Sequence, residues 1–272
     1  MARLQDFNTV TPSASDNLLV VQSQGQGLVS WGSKLDSNNP TGTGALSINR
    51  KSNTTVGNLS VAVGNNCEAS GAHSFAEGRE TTASGGYGSH SEGYSTVASN
   101  LAAHAENDRT TASGQASHSD GTGTIANHRS QHVFGEWNVA DTSTAGATGR
   151  GNYIEIVGKG TANDARSNAR TLDWSGNETI AGTLTQSSDA SLKDVIDEAL
   201  PDVSDIKAIK FKWKEGTNRD EAEHIGYLAQ DVEKVLPYLV KEDAEGNKVL
   251  DYIAFLVAKV DSLEKRLAEL EK

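Results

Sequence analysis

Histidine is the residue type here most open to chemistry. Four of the seven, His90, His104, His118 and His132, recur 14 residues apart, and Phe75 and Val61 extend the same column upstream. An acid follows two places after four of these positions, as Glu77, Glu92, Glu106 and Asp120. Stacked imidazoles could coordinate a cation. The alternative is that each histidine fills an inward slot and hydrogen-bonds its neighbours. No second ligand spacing accompanies the ladder, so neither a metal nor a cofactor is expected. Residues two apart share a face in a strand, so the acids either pair with the histidines or lie solvated in turns. Cys67 stands alone, which excludes an intrachain disulfide, fits a reducing compartment and suits a small packed residue.

The ladder belongs to a repeat. Its pentads read SVAVG, SFAEG, SHSEG, AHAEN, SHSDG and QHVFG, and Ala69, Ala83, Ala98, Ala112 and Ala126 keep step within EASG, TASG, VASN, TASG and IANH. Each repeat thus holds two short alternating segments separated by Gly or Asn, enough for two strands and two tight turns. A coil this short buries no face alone and must stack on its neighbours, which predicts a parallel β-solenoid. Inward positions filled by Ala, Ser, Val and His make the roll narrow, and three chains side by side would supply the missing burial. Over roughly residues 54–138 the pentads and ASG turns resemble the β-roll heads of trimeric autotransporter adhesins, and similar repeats occur in phage tail fibres. Residues 16–31 read as a hairpin around a Gly-rich turn, and NYIEIVGKG and ARTLDWSGNETIAGTLT as further strands.

Composition agrees with a thin core: hydrophobic residues are 36% and aromatics 6%, with 27 Gly. A net charge of -12 argues against nucleic acid as a partner. Lys207, Lys210, Lys212 and Lys214 alternate with Ile209, Phe211 and Trp213, as on the wet face of a strand. No stretch approaches the ~20 apolar residues of a membrane span, and MARLQDFNTV lacks the pattern of a signal peptide, so a chain without membrane insertion is expected. Residues 188–272 hold more than half of the charged side chains in under a third of the length. The chain has two physical regimes.

Beyond Leu184 a helical stripe is expected from Leu192, Val195, Ile196 and Leu200, with Ser188 as cap and Asp189 in the first turn. From here the Ser188-Asp189 start, Leu192-Lys193, IKFKWKEG, HIGYLAQDVEKVLPYLV and LDYIAFLVAKVDSLEKRLAEL follow in order. Together they resemble the C-terminal intramolecular chaperone domain of endosialidase-type phage tailspikes and fibres, a family of self-cleaving peptidases. The resemblance implies that Ser188 is the nucleophile, Lys193 its base and Ser187-Ser188 the cut bond. His224 either orients this Ser-Lys site or is a satisfied structural histidine. Ser191 departs from the Arg that many relatives carry, which bears on the strength of cleavage.

Ile253, Leu256, Val260, Leu263, Leu267 and Leu270 alternate spacings of three and four, the a/d seam of a coiled coil, here expected to trimerise three chains. The expected organisation is an N-terminal β segment (1–50), a β-roll (51–140), a β stalk (141–187), and an α+β chaperone autoprotease with a C-terminal coiled coil (188–272). The expected function is that of a phage or prophage tail fibre. It would assemble in the host cytoplasm as a homotrimer, join other tail or baseplate proteins in the virion, and bind a host-surface glycan or protein. A glycan-degrading tailspike would need a distinct acid and base pair, whereas the acids recur as repeat units. A bacterial trimeric surface adhesin would bring a signal peptide and a membrane barrel, whereas the sequence closes on LEKRLAELEK.

Overall fold

The computed structural model describes residues 42, 45–197, 199–217 and 219–272, and the hairpin expected at residues 16–31 lies outside them. The chain divides into two compact units between Leu184 and Thr185.

The first unit is a parallel β-solenoid. Its long sheet is laid down by β1 (Leu46–Arg50), β2 (Val61–Cys67) and β3 (Phe75–Arg79). From there two rows alternate: β4 (Thr82–Ala83), β5 (His90–Tyr94), β6 (Val97–Ala98), β7 (His104–Ala105), β8 (Thr111–Ala112), β9 (His118–Ser119), β10 (Ile125–Ala126) and β11 (His132–Glu136). Strands β1, β2, β3, β5, β7, β9 and β11 pair in that order, and β4, β6, β8 and β10 form the second sheet. Register follows the sequence repeat, with Phe75 opposite His90, His90 opposite His104, and His118 opposite His104 and His132. Strand β1 already belongs to the long sheet.

Four columns of small residues fill the interior. Ala62, Ala76, Ser91, Ala105, Ser119 and Val133 form one, Ala69, Ala83, Ala98, Ala112 and Ala126 another, and all are fully buried. Cys67 opens the third column, which continues through Thr81, Thr96, Thr110 and Thr124. Ser60, Ser74, Ser89, Ala103 and Ser117 make the fourth. Most hydroxyls inside find partners, as where Ser91 Oγ meets Thr96 Oγ1 and Ser119 Oγ meets Thr124 Oγ1, each at 2.8 Å, while Thr81 Oγ1 has no hydrogen-bond partner among the described residues. The expectation of inward histidines is corrected. Successive strand residues face opposite sides, and the residue after each histidine is the buried one, so the imidazoles stand half-exposed on the outer face.

Tight corners are set by left-handed backbone. One corner column runs through Leu59, His73, Tyr87, Ala102, Ala116 and Ser130, all at φ between 51° and 59°. A second comprises Asn66, Glu80, Ser95 and Arg109, and a third Gly64, Gly78, Gly93, Asn107, Gly121 and Gly135. At Gly78 (φ 104°) a β-carbon would also lie 2.2 Å from the carbonyl oxygen of Gly93 in the next coil, so both the dihedral and the stacking demand glycine. The one 15-residue step from Phe75 to His90 is absorbed at Gly88, whose surroundings are open.

The last coil is closed by side chains in place of a further coil. Buried Asn138 occupies the next slot of the threonine column. Its Oδ1 accepts from Ile125 N at 2.8 Å and its Nδ2 donates to Ile125 O at 3.1 Å, satisfying the edge strand β10 as a backbone would. Buried Asp141 accepts from Ser143 N, Asn152 Nδ2, Tyr153 N and Gln131 Nε2 at 2.9 to 3.3 Å. Beyond it β12 (Tyr153–Lys159) pairs in parallel with β11, then β13 (Asn168–Asp173) and β14 (Glu178–Ile180) turn antiparallel.

The second unit is α+β. It contains 3-10 turns at Ala190–Leu192 and Pro237–Leu239, the hairpin strands β15 (Ile209–Phe211) and β16 (His224–Gly226), and helix α1 (Ala229–Glu233). A second hairpin, β17 (Val240–Glu242) with β18 (Lys248–Leu250), leads into helix α2 (Tyr252–Leu270). Val203, Val232, Leu236, Phe255 and Ala258 form its buried core. Asp251 caps α2 by accepting from Ala254 N at 3.0 Å, and Lys259 Nζ ties the 203–206 turn to the helix through the carbonyls of Val203 and Ile206. The helix expected from the Leu192–Leu200 stripe does not form past Leu192. Leu200 packs on the core, but Leu192, Val195 and Ile196 are 75%, 77% and 98% exposed. A short stripe with nothing to cover it does not hold a helix by propensity alone.

Two substitutions test this account with opposite signs. Ala102 and Ala116 are exposed residues in left-handed conformation, so Ala102→Gly with Ala116→Gly should stabilise the solenoid by about 1 kcal/mol per site. Asn138→Ala should destabilise it by about 1–3 kcal/mol, by stripping partners from buried backbone groups. Denaturant unfolding followed by far-UV circular dichroism reads both.

Candidate functional site

Ser188 stands just before the 3-10 turn at Ala190–Leu192, outside its cap. The cap is Asp189, whose carboxylate accepts from the N–H of Ser191 at 2.8 Å and its hydroxyl at 2.7 Å. Those bonds, the hydroxyl's first, hold the Asp189 carboxyl below the usual carboxylate range. Ser191 thus serves the turn itself. Lys193 ends the turn in extended conformation, with φ -125° and ψ 130°. Its side chain reaches back, and Nζ donates to Ser188 Oγ at 2.6 Å. Ser187, Ser188 and Lys193 are all exposed. A serine hydroxyl becomes a strong nucleophile when an adjacent base takes its proton, and an amine serves as that base only in its neutral form. The same 2.6 Å contact is short enough for that transfer.

His224 begins β16 opposite Phe211. Its Nε2 meets Asp220 Oδ1 at 2.8 Å, and its ring lies 5.5 Å from Phe211 and 6.1 Å from Trp213. No hydrogen bond joins it to Ser188 or Lys193 among the described residues. Ile253, Leu256, Val260, Leu263, Leu267 and Leu270 lie along α2 at 47% to 85% exposure, on the side away from buried Phe255, Ala258 and Ser262. They form an exposed apolar face along the helix.

On the solenoid, the four histidines form an unbroken stack. Ring centroids are 4.7, 4.6 and 5.0 Å apart from His90 to His132, with interplanar angles of 5° to 13°. Phe75 extends the stack at 5.0 Å. Each acid pairs with the histidine of the following coil. Glu92 lies 3.3 Å from His104 and Glu106 2.9 Å from His118, while Glu77–His90 and Asp120–His132 are 3.8 Å apart. Of the two placements open to these acids in the sequence, pairing is the one observed.

Residues 188–241 match the family model described as the chaperone of endosialidase. No protein among the curated proteins searched matches the chain. The match and the β-solenoid together fit an endosialidase-type chaperone domain preceded by β-repeats. Such a domain supports a tail-fibre or tailspike type of protein with an intramolecular chaperone, and the family's classification as a peptidase indicates a self-cleaving domain. The resemblance read from the sequence extends to residue 272, whereas the matched span stops before β18 and α2. Among the described residues no helix is long and apolar enough to cross a membrane.

One titration is predicted from the stack. His104 is held below its ordinary value of 6.5, by burial first and then by the charges of His118 and His90, against the raising influence of Glu92 and Glu106. Well above that value the imidazole is neutral in both folded and unfolded chains. As pH falls below it, the unfolded chain takes up a proton that the folded chain resists, so stability is lost until the folded value is passed. Melting midpoints should drop as pH falls through and below about 6.5, and His104→Gln should flatten that drop. An unchanged slope in the variant would assign it to other groups.

Proposed function

We propose, taking the endosialidase-type chaperone domain behind a β-solenoid as premise, that the chain is a phage or prophage tail-fibre protein. Residues 188–272 register three chains and are then released by cleavage of the Ser187-Ser188 bond. The observation that carries this reading is the 2.6 Å contact between Lys193 Nζ and Ser188 Oγ at the first residues of the matched span. Neutral Lys193 takes the hydroxyl proton while Ser188 Oγ attacks the carbonyl carbon of Ser187. The C–N bond breaks as the nitrogen of Ser188 is protonated, leaving Ser187 esterified to Ser188 Oγ. Water then hydrolyses the ester to a Ser187 carboxylate and a free hydroxyl.

The exposure of Lys193 explains why cutting waits for assembly. A lysine becomes neutral near physiological pH when burial or a neighbouring cation disfavours its charge. Exposed Leu192, Val195 and Ile196 beside it give a second chain something apolar to cover. The α2 seam brings the chains together through Ile253, Leu256, Val260, Leu263, Leu267 and Leu270. His224, tied to Asp220, serves the local hairpin. The released fibre presents the solenoid surface to a host-cell glycan or protein.

Mass spectrometry of the expressed chain tests the cut. Wild type should yield a fragment of residues 188–272, and Ser188→Ala and Lys193→Ala should stay full length yet still assemble. A trimeric wild type that remains intact would sink the peptidase reading. Leu256→Glu with Leu263→Glu, both on the exposed face, should prevent association and slow cleavage by at least tenfold. Cleavage at the wild-type rate by a monomeric variant would separate cutting from assembly.

A further inference from the structure

We propose that the centre of the histidine ladder is a binding site for one divalent transition-metal ion per chain, Zn²⁺ being the best-matched. The site is built from β5 and its neighbours. His90, Glu92 and His104 place three ligand atoms within 4.8 Å of one another, and His104, Glu106 and His118 do the same one coil further on. Two imidazole nitrogens and a carboxylate oxygen form a donor set suited to zinc, with a fourth position left for water. Hard cations such as Mg²⁺ or Ca²⁺ prefer all-oxygen sites.

Geometry supports closure of the ligands on one ion. Bonds of about 2.0–2.2 Å set donor atoms roughly 3.3–3.5 Å apart around a tetrahedral ion. Glu92 Oε1 and His104 Nε2 are already 3.3 Å apart, and Glu106 Oε1 and His118 Nε2 2.9 Å. The remaining imidazole, its ligand atom within 4.8 Å of the other two, closes the set by turning toward the ion. His90 Nε2 has no hydrogen-bond partner although it is screened from solvent. The triad residues are half-buried, giving an ion both a path in and a partly dry setting.

The two triads share His104, and one Nε2 cannot serve two separate ions. Occupancy is therefore one per chain, in either triad. At the ladder's ends Glu77–His90 and Asp120–His132 are 3.8 Å apart, and Glu77, Asp120 and His132 belong to no triad among the described residues. An ion at His104 joins β5 to β7, or β7 to β9, with coordinate bonds. It clamps adjacent coils that otherwise hold through backbone hydrogen bonds and small side chains.

The test uses the untagged full-length chain. Calorimetric titration with Zn²⁺ should give one equivalent per chain, Co²⁺ should give the visible absorption of a four-coordinate site, and excess Zn²⁺ should raise the solenoid's melting midpoint. His104→Gln should weaken Zn²⁺ binding at least tenfold. Because that variant also alters the stack, Glu92→Gln with Glu106→Gln provides a second reading that leaves all four rings in place, with a loss of similar size expected. Circular dichroism without metal establishes that each variant is folded. No binding by wild type, or equal binding by folded variants of both kinds, would overturn the proposal. These outcomes are independent of cleavage at Ser188, so either reading can fail without the other.

Discussion

Everything in the first unit depends on the in-register stacking of successive coils. Each strand's backbone groups are satisfied by the coils on either side, as where His90 N donates to Ala103 O and His104 N to Ser117 O, both at 2.9 Å. The interior columns are alanine, serine and threonine because the coil is too narrow for more. Such side chains bury little apolar area, so the hydrophobic contribution per coil is small. The left-handed corners add a local cost that only the stacked arrangement offsets. Stability in this unit is accordingly collective, and its weakest places are the ends. That is why Asn138 and Asp141, buried polar residues in a solenoid otherwise lined mostly with small ones, gather at the last coil.

The same regularity creates a problem of register. Coils that repeat nearly the same pentad stack almost as well when displaced by a whole coil, so periodic sequence alone discriminates poorly between alignments. In the proposed trimer, three solenoids offset by one coil would lose few contacts. A registering element therefore has to be aperiodic, and residues 188–272 are. Their core draws on Val203, Val232, Leu236, Phe255 and Ala258 from separate segments, with no repeat to slip along. In the proposed trimer the seam on α2 would give three chains one shared axial position before the slower parallel pairing is complete.

The sequence made the period plain and concealed the faces. Spacings of 14 and 15 located every strand of the long sheet from Val61 to His132, because register between coils is the repeat itself. The placement of histidine inside failed because a bare period does not say which of two alternating residues points inward. The buried Ala62, Ala76, Ser91 and Ala105 are too small to mark a core by hydrophobicity, and half-exposed imidazoles are too apolar to mark a surface. The corner columns were hidden for a related reason: Leu59, Tyr87 and Ala102 hold a conformation usually left to Gly and Asn. At the junction, the spacing of Leu192, Val195, Ile196 and Leu200 suited a helix, but an amphipathic stripe needs a surface to lie on. Only Leu200 finds one in its own chain. Spacing allowed Lys193 to reach back only if Ser188 lay outside the first turn, and that condition is met because Asp189, one residue on, is the cap of a turn that ends at Leu192.

That exposed stripe bears on timing. A hydroxyl and an amine 2.6 Å apart in water are a hydrogen-bonded pair of ordinary side chains, with the amine as the donor. Converting the pair to nucleophile and base requires removing that solvent, and the side chains that would accompany the removal are already beside it, almost fully uncovered. Burying Ile196 and Val195 against another chain is itself favourable, each by about 1.5–3 kcal/mol for full burial, so association would supply the desolvation that a lone chain cannot. In this scheme the chemistry is conditional on the contact surface rather than on any additional catalytic group, and a chain that has not found its partners keeps the segment that finds them.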